Sequence, residues 1–153
     1  MTKTEGIIHQ LKRSFDGEAW HGPALMEVLK SVDAATASAH PVANAHCIWE
    51  LALHVRAWEW VAIRRLQGHE ATVSDQDNFP NPAKVDDAAW RQEVTALRET
   101  HAELVRLVAA LPEERLQQRA PGTDYDLEFM LLGVVQHAAY HGGQIALLGK
   151  AHR

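Results

Sequence analysis

The sequence predicts an all-α fold, a four-helix bundle with a long crossover between its second and third helices. Three observations carry that expectation. Four long stretches place apolar residues at the three-and-four spacing of an amphipathic helix, and none shows a convincing strand alternation. One of them, 87–110, carries Trp90, Val94, Leu97, His101, Leu104, Val108 and Leu111 at 4-3-4-3-4-3 spacing, the heptad seam of a packed bundle helix. The segment 69–85, with Asn78, Pro80, Asn81 and Pro82, is long for a bundle connection and long enough to cross the bundle.

The first helix begins near residue 4, with Ile7, Ile8, Leu11 and Phe15 on one stripe. Asp16-Gly17 interrupts it, and Pro23, after Trp20-His21-Gly22, suits the first turn of a second piece over 23–32. The two pieces read as one broken helix. Residues 34–43 read as a connection, and Asn44 as the N-cap of a helix over 45–67 that buries Ile48, Leu51, Val55, Trp58 and Ala62. Gly68 closes that helix at C′. Asp86 or Asp87 starts the third helix, Pro112-Glu113-Glu114 stops it, and Pro121-Gly122 punctuates the connection 116–125. Asp126 caps the last helix, 127–150, whose stripe runs through Leu127, Met130, Leu131, Val134, His137, His141, Ile145 and Leu148. Gly133, Gly142 and Gly143 interrupt it at a cost of roughly 1 kcal/mol each. Either another backbone or ligand approaches there, or the positions are loose and exposed.

The bulk composition narrows the function. A chain of 153 residues, 46% apolar, suits a single domain over 1–153. A formal net charge of −5, with no basic run beyond Arg64-Arg65, disfavours nucleic acid as a partner. The lone Cys47 excludes an intrachain disulfide and fits a reducing compartment. The N-terminus lacks the apolar core of a signal peptide, and no apolar run reaches a membrane-spanning length, so a cytoplasmic protein without a membrane partner is expected.

The chemistry concentrates in histidines. His137 and His141 are four apart and share one helix face, with Gln144 about 20° round from His137. With ten histidines in the chain, such a pair alone is a weak motif. His54 adds to it, on the edge of the second helix's apolar stripe. The residues leave two readings open. Each imidazole is a separate core group needing its own partner, at about 1–3 kcal/mol if unpaired, or the three converge on one metal ion and leave a fourth position for water or substrate. Glu50, one turn before His54, can accept a ligand's N–H or lie at the surface. Gln144 can orient a bound water or bridge helices. His101 reads as an ordinary core histidine, or else as a partner of the metal site. Trp20 lines the pocket mouth or simply packs. Cys47 beside His46 at a helix N-terminus is a conceivable nucleophile pair, although adjacent helical residues point about 100° apart.

The helix Ile48-Trp49-Glu50-Leu51-Ala52-Leu53-His54-Val55-Arg56-Ala57-Trp58, the late His137-Ala138-Ala139-Tyr140-His141-Gly142-Gly143-Gln144-Ile145, and the early Trp20-His21-Gly22-Pro23 together resemble the DinB/YfiT-like superfamily. The resemblance covers nearly the whole chain, and the late His-x-x-x-His-x-Gly-Gln pattern is its most specific part. It implies a bundle of non-sequential connectivity. It also implies a divalent metal, expected here to be zinc or nickel, held by one histidine of the second helix and two of the last: His54, His137 and His141. The implied activity is that of a metalloenzyme, as a thiol-dependent S-transferase acting with a low-molecular-weight thiol or as a hydrolase. The alternative is a non-enzymatic metal-stabilised stress or interaction module. A small-molecule substrate and a homodimer are expected, with Trp60 and Leu53 as apolar surface for the dimer.

Overall fold

The computed structural model describes residues 1–152. Among them are seven α-helices, a 3₁₀ turn at Glu113–Gln117, and no strand. Four long helices form the bundle: α1 (Lys3–Phe15), α4 (Ile48–Leu66), α6 (Asp87–Ala109) and α7 (Leu127–Ala151). Three short ones decorate it: α2 (Leu25–Leu29), α3 (Ala34–Ser38) and α5 (Asp75–Asn78).

Local chemistry fixes the ends. Thr2 accepts the Glu5 N–H while the Glu5 carboxylate accepts the Thr2 N–H, a reciprocal cap for α1. Asp86 and Asp126 cap α6 and α7 through the N–H groups of Ala89 and Phe129. At the end of α4 the N–H groups of Gly68 and His69 return to the carbonyls of Arg65 and Arg64, with Gly68 at φ +90°. That is a Schellman closure, which glycine enters without a Cβ penalty.

Side-chain pairings set the directions. Trp49 meets Trp90, Arg56 meets Glu93 and Glu59 meets His101, so α4 and α6 run parallel. His54 meets His137 and Arg65 meets Tyr125, so α7 runs antiparallel to α4. Lys3 reaches Glu113 while Phe15 stacks on His101, so α1 opposes α6. The bundle is therefore up-down-down-up, with α1 and α4 each packed against both α6 and α7. Parallel neighbours need a connection that retraces the bundle, and residues 67–86 supply it. Ala71 lies on Arg65, Asn78 on Trp58 and His54, and Phe79 on His46, in reverse order along α4.

The core divides along the bundle axis. One apolar cluster gathers Phe15, Leu25, Leu29, Trp49, Trp90 and Leu97, and the other Ile7, Leu11, Leu104, Leu116, Leu127 and Leu131. Between them lies a waist holding the buried polar residues His54, Glu59, His101 and His141.

Several local expectations change. The pieces before and after residue 16 are not one broken helix. A turn holding Glu18 at φ +62° separates α1 from α2, which folds onto α7. Residues 34–38 form a helix, capped by the Asp33 carboxylate on the Thr36 N–H. Asn44 does not cap α4: it takes the left-handed conformation at φ +62°, and the helix starts at Ile48 with Cys47 as its N-cap. Of the three glycines, Gly142 meets a neighbouring backbone, since a Cβ there would lie 3.9 Å from the Leu25 Cα. Gly133 and Gly143 face open space.

Candidate metal centre

Helix α4 supplies His54, and α7 supplies His137 and His141 from successive turns. The Nε2 atoms of His54 and His137 are 2.9 Å apart, and those of His137 and His141 are 3.0 Å apart. One ligating atom from each of the three histidines lies within 4.8 Å of the others. The remaining ring nitrogens define the tautomers. The Nδ1–H of His54 donates to the Asn78 carbonyl at 2.6 Å, and the Nδ1–H of His141 donates to the Gln144 Oε1 at 2.6 Å. A neutral imidazole that donates at Nδ1 presents a lone pair at Nε2. Two lone pairs therefore aim at the Nε2 of His137. A proton there can serve only one of them at a time, whereas a cation satisfies all three.

The donor set fits a first-row divalent ion. A tetrahedral site with bonds of about 2.0–2.1 Å places its nitrogens roughly 3.3 Å apart, a few tenths of an ångström beyond the separations found. Burial, reinforced by the neighbouring His141 and His54, holds His137 down to about 3. Burial also lowers His54 and His141 from the ordinary histidine value, so all three rings stay neutral and able to ligate at pH 7. Phe79 lies flat on His54, ring centroids 3.9 Å apart, and covers one side of the site.

A cavity of about 370 Å³ adjoins His54 and His137 and runs between α4 and α7 towards Arg65 and Tyr125. Glu59 lines it and is 1% exposed. Burial raises the Glu59 pKa, although its hydrogen bond to His101, Oε1 to Nδ1 at 2.8 Å, opposes the shift.

Of the other expected site residues, only Gln144 touches the triad. Glu50 does not serve His54. Its carboxylate accepts the Cys47 N–H at 2.8 Å, completing the cap of α4, and faces His40 and His46. Trp20 neither lines a pocket nor packs, being 101% exposed. His101 stands outside the triad, stacked on Phe15 and paired with Glu59. Gln144 reaches His141 directly. Cys47 is buried, burial pushes its thiol pKa up, and the His46 ring stacks on Phe79, so the pair is no nucleophile. A second donor group, His40, Cys47 and Glu50, also falls within 4.8 Å. Its carboxylate is committed to the helix cap and its thiol is held protonated, which makes it the poorer ligand set.

Sequence reading missed Asn78, Phe79, Glu59 and Arg65. Glu59 and Arg65 carried a signal, because each continues the buried spacing of α4 through Val55, Glu59, Ala62 and Arg65. Asn78 and Phe79 carried none, since the crossover alone brings them to the site.

The fold and site define an all-α bundle with a histidine triad at its waist, suited to holding a metal and bordered by a cavity. A family model of the DinB superfamily matches residues 19–145, and the chain belongs to that superfamily. No curated protein and no solved structure gives a significant match.

Proposed function

We propose that this chain is a divalent-metal-dependent enzyme whose centre is His54, His137 and His141. The convergence of three Nε2 atoms, two with their lone pairs fixed by Asn78 and Gln144, carries the proposal. Zinc or nickel suits three imidazoles. When bound, the ion supplies positive charge that holds a thiol as thiolate or acidifies a water. The chain's own residues do the rest. Asn78 and Gln144 hold two rings in register, Phe79 shields one face, and the cavity between α4 and α7 receives a substrate.

Thiol S-transfer is the first reading of the reaction, on the family relationship. Hydrolysis is the second, favoured by Glu59, a buried acid in the wall of the same cavity with one oxygen unpartnered. A homodimer is part of the reading, packed on the exposed Leu132, Tyr140 and Leu147 of α7; Trp60 is exposed too, whereas Leu53 is half-buried against the core. Light scattering of the protein and of Leu147→Glu tests that part.

Protein purified without a His-tag should carry about one metal ion per chain, read by elemental analysis, and His54→Ala, His137→Ala and His141→Ala should each lower it at least about tenfold. Full occupancy in all three variants would end the proposal. A screen of glutathione, bacillithiol and mycothiol with electrophiles, beside a panel of esters, then separates the reactions. Turnover with neither leaves a metal-stabilised interaction module.

A further inference from the structure

Arg65 is 7% exposed, and its guanidinium has no carboxylate within 4.0 Å among the described residues. Its Nε–H donates to the Ala71 carbonyl at 3.1 Å and one Nη1–H to the Tyr125 hydroxyl at 2.7 Å. The rest of its five donors make no hydrogen bond within the described residues, and since no Arg65 nitrogen is both buried and unpartnered, they face accessible space. A buried cation without a counter-charge is costly, and buried charges are normally paired. The Tyr125 oxygen accepts from Arg65, so its own O–H remains free to donate. Both residues line the cavity, at the end away from His54 and His137.

The walls between the two ends are apolar, with Trp58, Val61, Met130 and Val134 on facing helices. Gly133 opens the floor, because a Cβ there would meet nothing within 4 Å. The one carboxyl in the wall, Glu59, is already bonded to His101. His54 and Arg65 lie on one helix, separated by an axial rise of about 16 Å. Only a molecule extended along α4 touches both.

We propose that this cavity binds a molecule with an apolar body and a terminal carboxylate, the carboxylate held by the Arg65 guanidinium and the Tyr125 hydroxyl. A monoanion matches the subsite better than a phosphate dianion. One guanidinium balances one charge, and Glu59 stands in the same cavity. The proposal deepens the metal-centre reading, on which it rests only for what lies at the opposite end.

The probes are octanoate and octanamide, titrated calorimetrically into metal-free protein, with metal content measured separately. Failure of the metal centre therefore cannot imitate failure of the subsite. Octanoate should bind at least about tenfold tighter than octanamide, a margin in keeping with a charge-assisted pair. Arg65→Met should bring the two within about twofold, and Tyr125→Phe, which keeps the ring, should narrow the difference about threefold. Gly133→Leu should fill the floor and weaken octanoate at least about tenfold without lowering the melting temperature, since it removes a helical glycine. Equal affinity for the two probes, including no binding of either, would overturn the proposal. So would a preference that survives in Arg65→Met or, should that variant not fold, one unchanged in Tyr125→Phe. Tighter binding of octyl phosphate than of octanoate would overturn the carboxylate assignment.

Discussion

The Glu59–His101 pair and the cluster of His54, His137 and His141 share the waist of the bundle, and each buries imidazole between the two apolar clusters. The first is an acid facing a base across 2.8 Å, so the one proton between Glu59 Oε1 and His101 Nδ1 serves both atoms. Its outer atoms, Glu59 Oε2 and His101 Nε2, have no partner, and it closes on itself. The second has only bases. His54 and His141 direct their protons outward to Asn78 and Gln144 and their lone pairs inward, to the Nε2 of His137. The same side chain is thus a structural element where an acid faces it and a candidate ligand where other imidazoles do. The arrangement of protons decides this, more than burial does.

The sharpest way to break the contrast is His101→Ala. It leaves Glu59 buried without its base and should cost about 3 kcal/mol in urea denaturation, with metal content unchanged. Loss of metal in that variant would mean that the two groups act as one site. Gln144→Ala should do the reverse, weakening metal affinity by about 10–100-fold while the metal-free stability holds. A metal affinity that does not move would remove Gln144 from the site.

The two groups also differ in sign with pH. The triad's pKa values are depressed, so the unfolded chain takes up protons near the ordinary histidine value of about 6.5 while the folded chain withholds them, His137 down to about 3. Stability of the metal-free protein is therefore present above pH 6.5 and declines as pH falls below it. Glu59, with its pKa raised by burial, contributes in the opposite sense, favouring the fold at low pH and losing that contribution as pH rises through its folded value. Urea midpoints of metal-free protein between about pH 7 and 5 should fall with acidification, and the slope should shrink in His137→Gln. A slope in His137→Gln equal to the parent's would contradict the depressed triad. The smallest effect belongs to Glu59→Gln, which keeps the shape and removes the ionisable proton. Its stability at pH 7 should lie within about 1 kcal/mol of the parent, and a larger loss would show that the pair is held by charge.

Much of the fold was legible because packing in a bundle writes its period into the chain. The seam from Trp90 to Leu111 and the caps Asp86 and Asp126 stand where that period put them. The ends of α4 divide the lesson. Gly68 announces a left-handed closure, but Asn44 adopts the same conformation without capping anything, because the Glu50 carboxylate satisfies the Cys47 N–H. For the site, spacing paired His137 with His141, the apolar stripe of the second helix offered His54 as one of two open readings, and the family resemblance chose between them. Glu59 and Arg65 were lost because a charged residue reads as surface unless a partner is known, and their partners are 42 and 60 residues away. Asn78 and Phe79 reach the triad by the path of the crossover, which no local pattern encodes.

The central claim is that three imidazoles, and nothing else in the chain, hold one ion. X-ray absorption on tag-free, zinc-loaded protein tests it directly. The expected spectrum has three histidine nitrogens at about 2.0–2.1 Å and one further light atom from solvent. A sulfur neighbour from Cys47, or fewer than three histidines, would contradict it and move the ion to the cluster at the start of α4.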